Sequence, residues 1–426
     1  MTDRLRILLI AEACNPTWTS VPLVGYNFAR ALASRSDLDI TLVSQVRNRP
    51  ALLADPIAAQ VKLHFIDNEW LAAPLYSLSS LIRGGQALSW TIDTAMAWPS
   101  YMVFEEAVFR RFGAALQAGR FDLVHRVTPL TPTQGSPLAK FVQTPMLVGP
   151  LNGGLPWPRE FPELRRQERE WLVPLRQAYT KLPYYRSTYR HLAGAIAGSK
   201  HTATEIPPFF QGQRFYLPEN GVDPERFPIA NSWPEPDGKF RFISVGRQVP
   251  YKGFDLIVEA MARSPALRQC RLTLYGDGPH KPALEALVQQ HGLHDCVQLA
   301  GWVNQKQLGQ ELARSQVFVF PSLREFGGGV VLEALASGLP SIIVDYGGPA
   351  ELVTPDCGIL LPMEPREALI GKLRAAMEAL SADPARCRQL GANACQRVRE
   401  EFVWSAKAAR IVEFYRQVLA KPPAKS

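Results

Sequence analysis

Residues 321–353 read PSLREFGGGVVLEALASGLPSIIVDYGGPAELV, and they decide the fold. The apolar run Val317–Phe320 leads into three successive glycines, Gly327, Gly328 and Gly329; a helical spacing follows over Val330–Ser337, then the apolar run Ser341–Val344 and another turn. Strand, glycine-rich turn, helix and strand in that order make one step of a parallel sheet covered by helices. The glycines fall where the strand gives way to the helix, so bare backbone amides and a positive helix end meet there, a combination that suits a diphosphate. A purely structural turn explains the glycines alone equally well. Glu325 and Glu333 lie eight residues apart across the turn, one before the glycines and one within the helix. Carboxylates accept paired hydrogen bonds from vicinal diols, so these two can grip hexose and ribose hydroxyls on either side of a pyrophosphate.

Upstream, the run Phe240–Val245 ends in GRQVPYKGF, which puts Gly246, Arg247 and Lys252 at the carboxyl end of a parallel strand, where open α/β sheets bind ligands. Two cations there can neutralise charge growing on a departing diphosphate, although lone basic loop residues are more often merely solvated. Further short apolar runs at Leu272–Tyr275 and Val297–Leu299 complete a series in this half. An earlier series runs through Arg6–Ile10, Ile40–Ser44, Val61–Phe65, Leu123–His125, Met146–Gly149 and Ala195–Ala197, with a helical period over Pro22–Ser34. The proline-rich stretch 218–238 separates the two series and reads as a linker. The expected domains are therefore 1–222 and 223–404.

A chain of 426 residues with 46% hydrophobic and 20% charged content is too long for one ordinary core and too apolar for disorder. No apolar run is long enough to span a membrane, and the opening MTDRLRILLIAEA lacks a small-residue cleavage site, so a cytoplasmic protein is expected. The cysteines at 14, 270, 296, 357, 387 and 395 form no C-x-x-C pair, which fits free thiols in a reducing compartment. Residues 1–220 carry 23 Lys/Arg against 17 Asp/Glu, a balance of +6, and the remainder 24 against 22, or +2. The first half is thus the better match to an anionic surface or acidic acceptor. No basic block or nucleic-acid motif stands out, which disfavours nucleic acid as a partner.

Two stretches interrupt the alternation, 69–117 and 159–190. The second interleaves eight Arg/Lys with Trp171, Tyr179, Tyr184, Tyr185 and Tyr189, a mix suited to peripheral contact with an anionic membrane, its inner face for a cytoplasmic protein; a solvated helix face is the plainer explanation. Asp37 and Asp39 form a D-x-D that resembles a metal motif, yet they precede the strand Ile40–Ser44 on its amino side, as an ordinary helix-to-strand turn would.

Together, E-x7-E at Glu325 and Glu333, GRQVPYKG at 246–253, GDGP at 276–279, GWV at 301–303 and PENGVDPERF at 218–227 resemble the retaining glycosyltransferases of family 4. The resemblance covers most of the chain. It implies the GT-B architecture, an α/β fold of two Rossmann-like parallel-sheet domains facing a central cleft, with a last helix, here 405–426, crossing back to the first domain and Trp404 anchoring the crossing. The first domain would bind a glycan or lipid-linked acceptor and the second a nucleotide-sugar donor. Position by position, Glu325 would contact the donor sugar, Glu333 the ribose, the amides of Phe326, Gly327, Gly328 and Gly329 the sugar and phosphates, Arg247 and Lys252 the diphosphate, and Val303, with Trp302, the base. His125 matches the position where a histidine reaches the donor sugar, so His125→Ala should collapse turnover and spare nucleotide affinity.

The resemblance also implies retention of anomeric configuration, no cofactor and no metal, with protein cations doing a divalent ion's work. A departure occurs after the first strand, where Thr19 and Ser20 stand in place of the family's Gly-Gly pair. The loop GPLNGGLPWP, with Asn152, Gly153 and Gly154, is expected near the acceptor, though a tight turn explains its glycines as well. The expected activity is transfer of a hexose from a UDP- or GDP-sugar in cell-surface polysaccharide or lipopolysaccharide synthesis. A nucleotide-sugar epimerase and a non-catalytic nucleotide-sugar-binding module are the alternatives.

Overall fold

Long aliphatic runs with both faces covered make the strands of this protein, as a parallel sheet between helix layers requires. The computed structural model describes residues 4–83, 90–167 and 180–420, with the side chains of 78–97 and 165–167 excepted. These residues divide into two units, one of 4–154, 180–219 and 407–420, the other of 155–167 and 220–406.

The first unit holds β1 (Leu5–Ala11), β2 (Leu38–Gln45), β3 (Lys62–Ile66), β4 (Leu123–Thr128), β5 (Met146–Leu151), β6 (Gly194–Ala197) and β7 (Gln213–Tyr216). Their order is β3-β2-β1-β4-β5-β6-β7, all parallel. Central β1 shows why: Ile7 to Ala11 are all fully buried, and no face is left for a polar residue. The outer strands β3 and β7 are half exposed and correspondingly mixed in sequence.

The second unit repeats the plan with β8 (Arg241–Val245), β9 (Arg271–Tyr275), β10 (Val297–Gly301), β11 (Val317–Phe320), β12 (Ser341–Val344) and β13 (Gly358–Leu361), ordered β10-β9-β8-β11-β12-β13 and again parallel. In both sheets the order reverses beside the first strand of the unit, between β1 and β4 and between β8 and β11. Such reversals leave a crevice at the carboxyl ends of the two strands.

Two segments join units that their sequence positions do not announce. Phe161 and Leu164 lie buried in the second unit's core, so 155–167 belongs there although the sequence groups it with the first half. The helix Trp404–Ala420 contributes its length from Lys407 onward to the first unit, where Phe414 stacks on Phe215 at 4.3 Å. Lys407 is fully buried and donates to the Pro218 carbonyl. Burial pulls its ammonium down to about 7, against the opposing pull of Glu219.

Asp37 and Asp39 flank the first residue of β2, and each is matched by cations: Asp37 by Arg35 at 2.9 Å and Arg416 at 3.0 Å, Asp39 by Lys62 at 2.9 Å. Of the aromatics in 159–190, Trp171 and Tyr179 lie outside the described residues. Tyr185 and Tyr189 are core residues of the first unit, a correction to their expected place on a surface stripe; Tyr184 remains exposed. All the cysteines are free and buried. Among the described residues no helix is long and apolar enough to cross a membrane.

Candidate active site

Close backbone packing at glycines assembles the site in the second unit. After β8 the chain runs through Gly246 and Arg247 into a single 3-10 turn, Pro250–Lys252, and Gly253 at φ 70° starts the helix Phe254–Ala262. A Cβ on Gly253 would lie 2.4 Å from the Pro321 carbonyl, so only glycine lets this loop settle on the residues that follow β11. The Leu323 amide donates to the Tyr251 carbonyl at 2.8 Å and closes the same contact. Lys252 and Glu325 thereby meet: Nζ donates to Oε2, with both side chains largely shielded from solvent.

Burial pulls the Lys252 ammonium down to about 8 even with that carboxylate against it. It is still protonated at neutrality and loses its charge only as pH rises through 8. Arg247 is exposed, and among the described residues no carboxylate pairs with it.

Beyond Glu325 the glycine run ends at Gly328, φ 66°, which begins the helix Gly329–Ala336 without a side-chain cap. The uncapped amides of that first turn carry the partial positive charge of the helix end. Behind the run, the Gly348 amide donates to the Glu325 carbonyl at 2.9 Å, and a Cβ on Gly348 would lie 1.8 Å from the Phe326 carbonyl. The glycine pair 347–348 thus pins Glu325 and Phe326, just before the three-glycine run, in place. Glu333 sits a turn into the helix, its carboxyl raised by burial and held by Gln305 Nε2 at 3.2 Å. Gln305 opens the helix Gln305–Leu312 just after the GWV turn, where Trp302 is 75% exposed and Val303 half-buried. Gln305 was not legible as a site residue, because no motif marks it and only the fold brings it to Glu333.

The remaining expected site residues lie in the first unit. His125 stands inside β4 opposite Leu9 of β1 and is fully buried. Its Nδ1 is 2.7 Å from the Tyr415 hydroxyl and its Nε2 is 2.8 Å from the Gly149 carbonyl. A carbonyl only accepts, so Nε2 carries the proton and Nδ1 accepts from Tyr415. Burial drives this imidazole down to about 4, which keeps it neutral at physiological pH. These neighbours differ from those the resemblance implies: both nitrogens are occupied and neither reaches solvent.

Asn152 donates to Glu219 at 2.7 Å, the Gly153 amide to Thr202 Oγ1 at 2.9 Å, and the Gly154 carbonyl lies 3.0 Å from His201 Nε2. Ser20, exposed beside Thr19, adopts φ 62° with ψ −137° at the start of the helix Val21–Ala33. That backbone conformation favours glycine, so serine holds it at a cost of about 1–3 kcal/mol.

Comparison with known proteins bears on this geometry. Residues 225–397, within the second unit, match the family model of glycosyl transferases group 1. Among relatives, an MMP alpha-(1->4)-mannosyltransferase of Mycolicibacterium hassiacum is 27% identical over 59% of this chain and 61% of its own. A GDP-mannose-dependent alpha-mannosyltransferase of Mycobacterium tuberculosis is 35% identical over 42% and 47% respectively. The lipopolysaccharide core biosynthesis glycosyltransferase LpsE of Rhizobium meliloti is 31% identical over 42% and 50%. The chain thus spans about half to three-fifths of the length of these relatives.

Among solved structures, sucrose-phosphate synthase of Thermosynechococcus elongatus superposes with a TM-score of 0.63 at 22% identity, covering 98% of this chain and all of the other. The lipopolysaccharide outer core galactosyltransferase WaaB gives 0.62 at 14% identity, covering 97% and 100%. The fold is that of the GT-B glycosyltransferases.

Proposed function

We propose that this protein is a retaining glycosyltransferase that moves a hexose from a UDP- or GDP-sugar to a glycan or glycolipid acceptor in cell-surface polysaccharide or lipopolysaccharide synthesis. The observation that carries the reading is the Lys252–Glu325 pair, set at the carboxyl tips of neighbouring β8 and β11 beside an uncapped helix end. A diphosphate takes Lys252 and Arg247 as counter-charges and the amides of Phe326 to Gly329 as donors, so negative charge growing on the leaving group meets fixed positive charge. Glu325, released from Lys252, accepts from sugar hydroxyls, and Glu333 with Gln305 accepts from the ribose diol. The base lies at Val303 and Trp302.

The second unit takes the donor in this reading, and the first, with Ser20 and the loop 152–154, takes the acceptor. His125 enters as the support of the Gly149 carbonyl from which that loop departs. The two cations supply the charge neutralisation for which other transferases employ a divalent ion. Thermal-shift screening with UDP, GDP, ADP and their common sugars tests the reading, since a cognate ligand raises the melting temperature by mass action. A shift with one nucleotide and its sugar, abolished in Lys252→Ala, is expected. Rapid conversion of donor alone to an epimer, or unchanged transfer by Glu325→Ala across the donor panel, would overturn it.

A further inference from the structure

Resting on the donor site just described, we propose that Trp157 and Arg324 form a positioning device that sets the direction of Glu325 beside Lys252, and that it governs the chemical step rather than nucleotide binding. Trp157 comes from the first half of the sequence, yet 155–167 packs on the second unit. There it reaches both loops of the site. The Arg324 guanidinium lies 4.5 Å from the Trp157 ring centroid and 5.4 Å from that of Phe326, so the residue before Glu325 and the residue after it are tied to one aromatic stack. Arg324 Nε donates to the Leu155 carbonyl at 2.9 Å, which fixes the plane of the guanidinium as well as its depth. On its other side Trp157 meets the Tyr251 ring edge-on at 5.9 Å, and Tyr251 is the neighbour of Lys252. The Tyr346 hydroxyl donates to the Pro156 carbonyl at 2.7 Å and holds the strap against the loop that carries Gly347 and Gly348.

The physical consequence follows from where these contacts act. The Glu325 backbone is pinned at its carbonyl by Gly348, but its side-chain direction depends on the turn through Arg324 and Phe326. With the stack intact, the carboxylate and the ammonium keep one mutual geometry; without it, the loop turns about the Gly348 bond and the carboxylate wanders from the sugar. Glu333 and Gln305 stand on helices outside this stack, so ribose contacts are left intact. Misplacing a reacting group by an ångström costs rate far more than affinity. Lysine cannot substitute for Arg324, because it lacks the planar face for Trp157 and the Nε donor for Leu155.

The test compares Trp157→Ala, Arg324→Ala, Arg324→Lys and Trp157→Phe in the full chain, measuring kcat and KM with UDP-glucose and GDP-mannose, affinity for UDP and GDP by calorimetry, and melting temperature. Both alanine variants should lose about 10- to 100-fold in kcat, with KM and nucleotide affinity within about threefold of wild type. Arg324→Lys should resemble Arg324→Ala, whereas Trp157→Phe, which keeps a ring in the stack, should recover most of the rate. The double alanine variant should be no slower than the worse single, since the two residues act as one unit. Wild-type kcat in both single variants overturns the inference, and so does a loss confined to nucleotide affinity or matched by a fall in melting temperature to the assay range. Glu325→Gln measured alongside separates the two levels: if it collapses kcat while Arg324→Ala does not, only the positioning role fails. If Glu325→Gln itself leaves kcat unchanged, the donor-site reading fails.

Discussion

The two units share one sheet plan and treat the crevice at its reversal point differently. Beside β8 and β11 the ionisable residues stand in loops beyond the strands: Arg247 follows Val245, and Glu325 comes after β11 has ended at Phe320. Beside β1 and β4 the equivalent residues stand within the ladder, His125 opposite Leu9 and Arg126 opposite Ile10. A loop residue keeps access to a ligand, whereas a ladder residue must satisfy itself from its own unit. His125 does so fully with Tyr415 and Gly149, and Arg126 in part, through the Gln134 carbonyl at 2.9 Å with the buried carboxylate of Glu105 near it. The shared sheet plan therefore sets ionisable residues in loops beside one reversal point and within an internally bonded ladder beside the other.

The comparison breaks most sharply at the charged crevice. Lys252→Ala and Glu325→Ala should each lower transfer by about 100- to 1000-fold, the scale of a lost transition-state counter-charge or donor contact, in steady-state assays with the cognate donor. If His125→Ala matched that loss with an intact fold, the contrast between the units would collapse. Next in size is acid stability. An imidazole held at about 4 when folded and near 6.5 when unfolded resists protonation, so stability is complete above pH 6.5 and falls as pH drops toward 4, by about 3 kcal/mol in all. Thermal denaturation from pH 7 to 4.5 should show this slope in wild type and a shallower one in His125→Phe.

A smaller effect belongs to Lys252. With its ammonium at about 8, free-enzyme kcat/KM should decline as pH rises through 8, approaching tenfold per pH unit well above it, unless Arg247 alone suffices. The smallest concerns Ser20, whose backbone already has a glycine conformation. Ser20→Gly should raise stability by about 1 kcal/mol in denaturant melts, and a loss instead would mean the hydroxyl is engaged.

Local pattern made the central strands legible. Runs such as LRILLIA and VFVF, buried on both faces, announce themselves, and so do the glycine turns that follow them. The half-exposed strand QRFY and the outermost strand GILL were missed, because short segments at a sheet edge lack a distinctive period. Glu325, Glu333, Arg247 and Lys252 were readable as candidates because motifs flank them, and the structure brings Glu325 and Lys252 into contact. Gln305, Trp157 and Arg324 carry no such flag. Tyr185 and Tyr189 misled, since an aromatic among arginines looks the same in sequence whether it faces solvent or a core.

By itself the sequence determined the class of fold and the loops that hold the candidate site residues, because strand hydrophobicity, glycine conformational freedom and helix-end charge are local properties. The tertiary structure decided which of the ionisable residues keep their charge, which unit 155–167 joins, and what braces Glu325. Those outcomes depend on burial and on contacts between distant segments, such as His125 with Tyr415, 290 residues apart, and no local pattern encodes them.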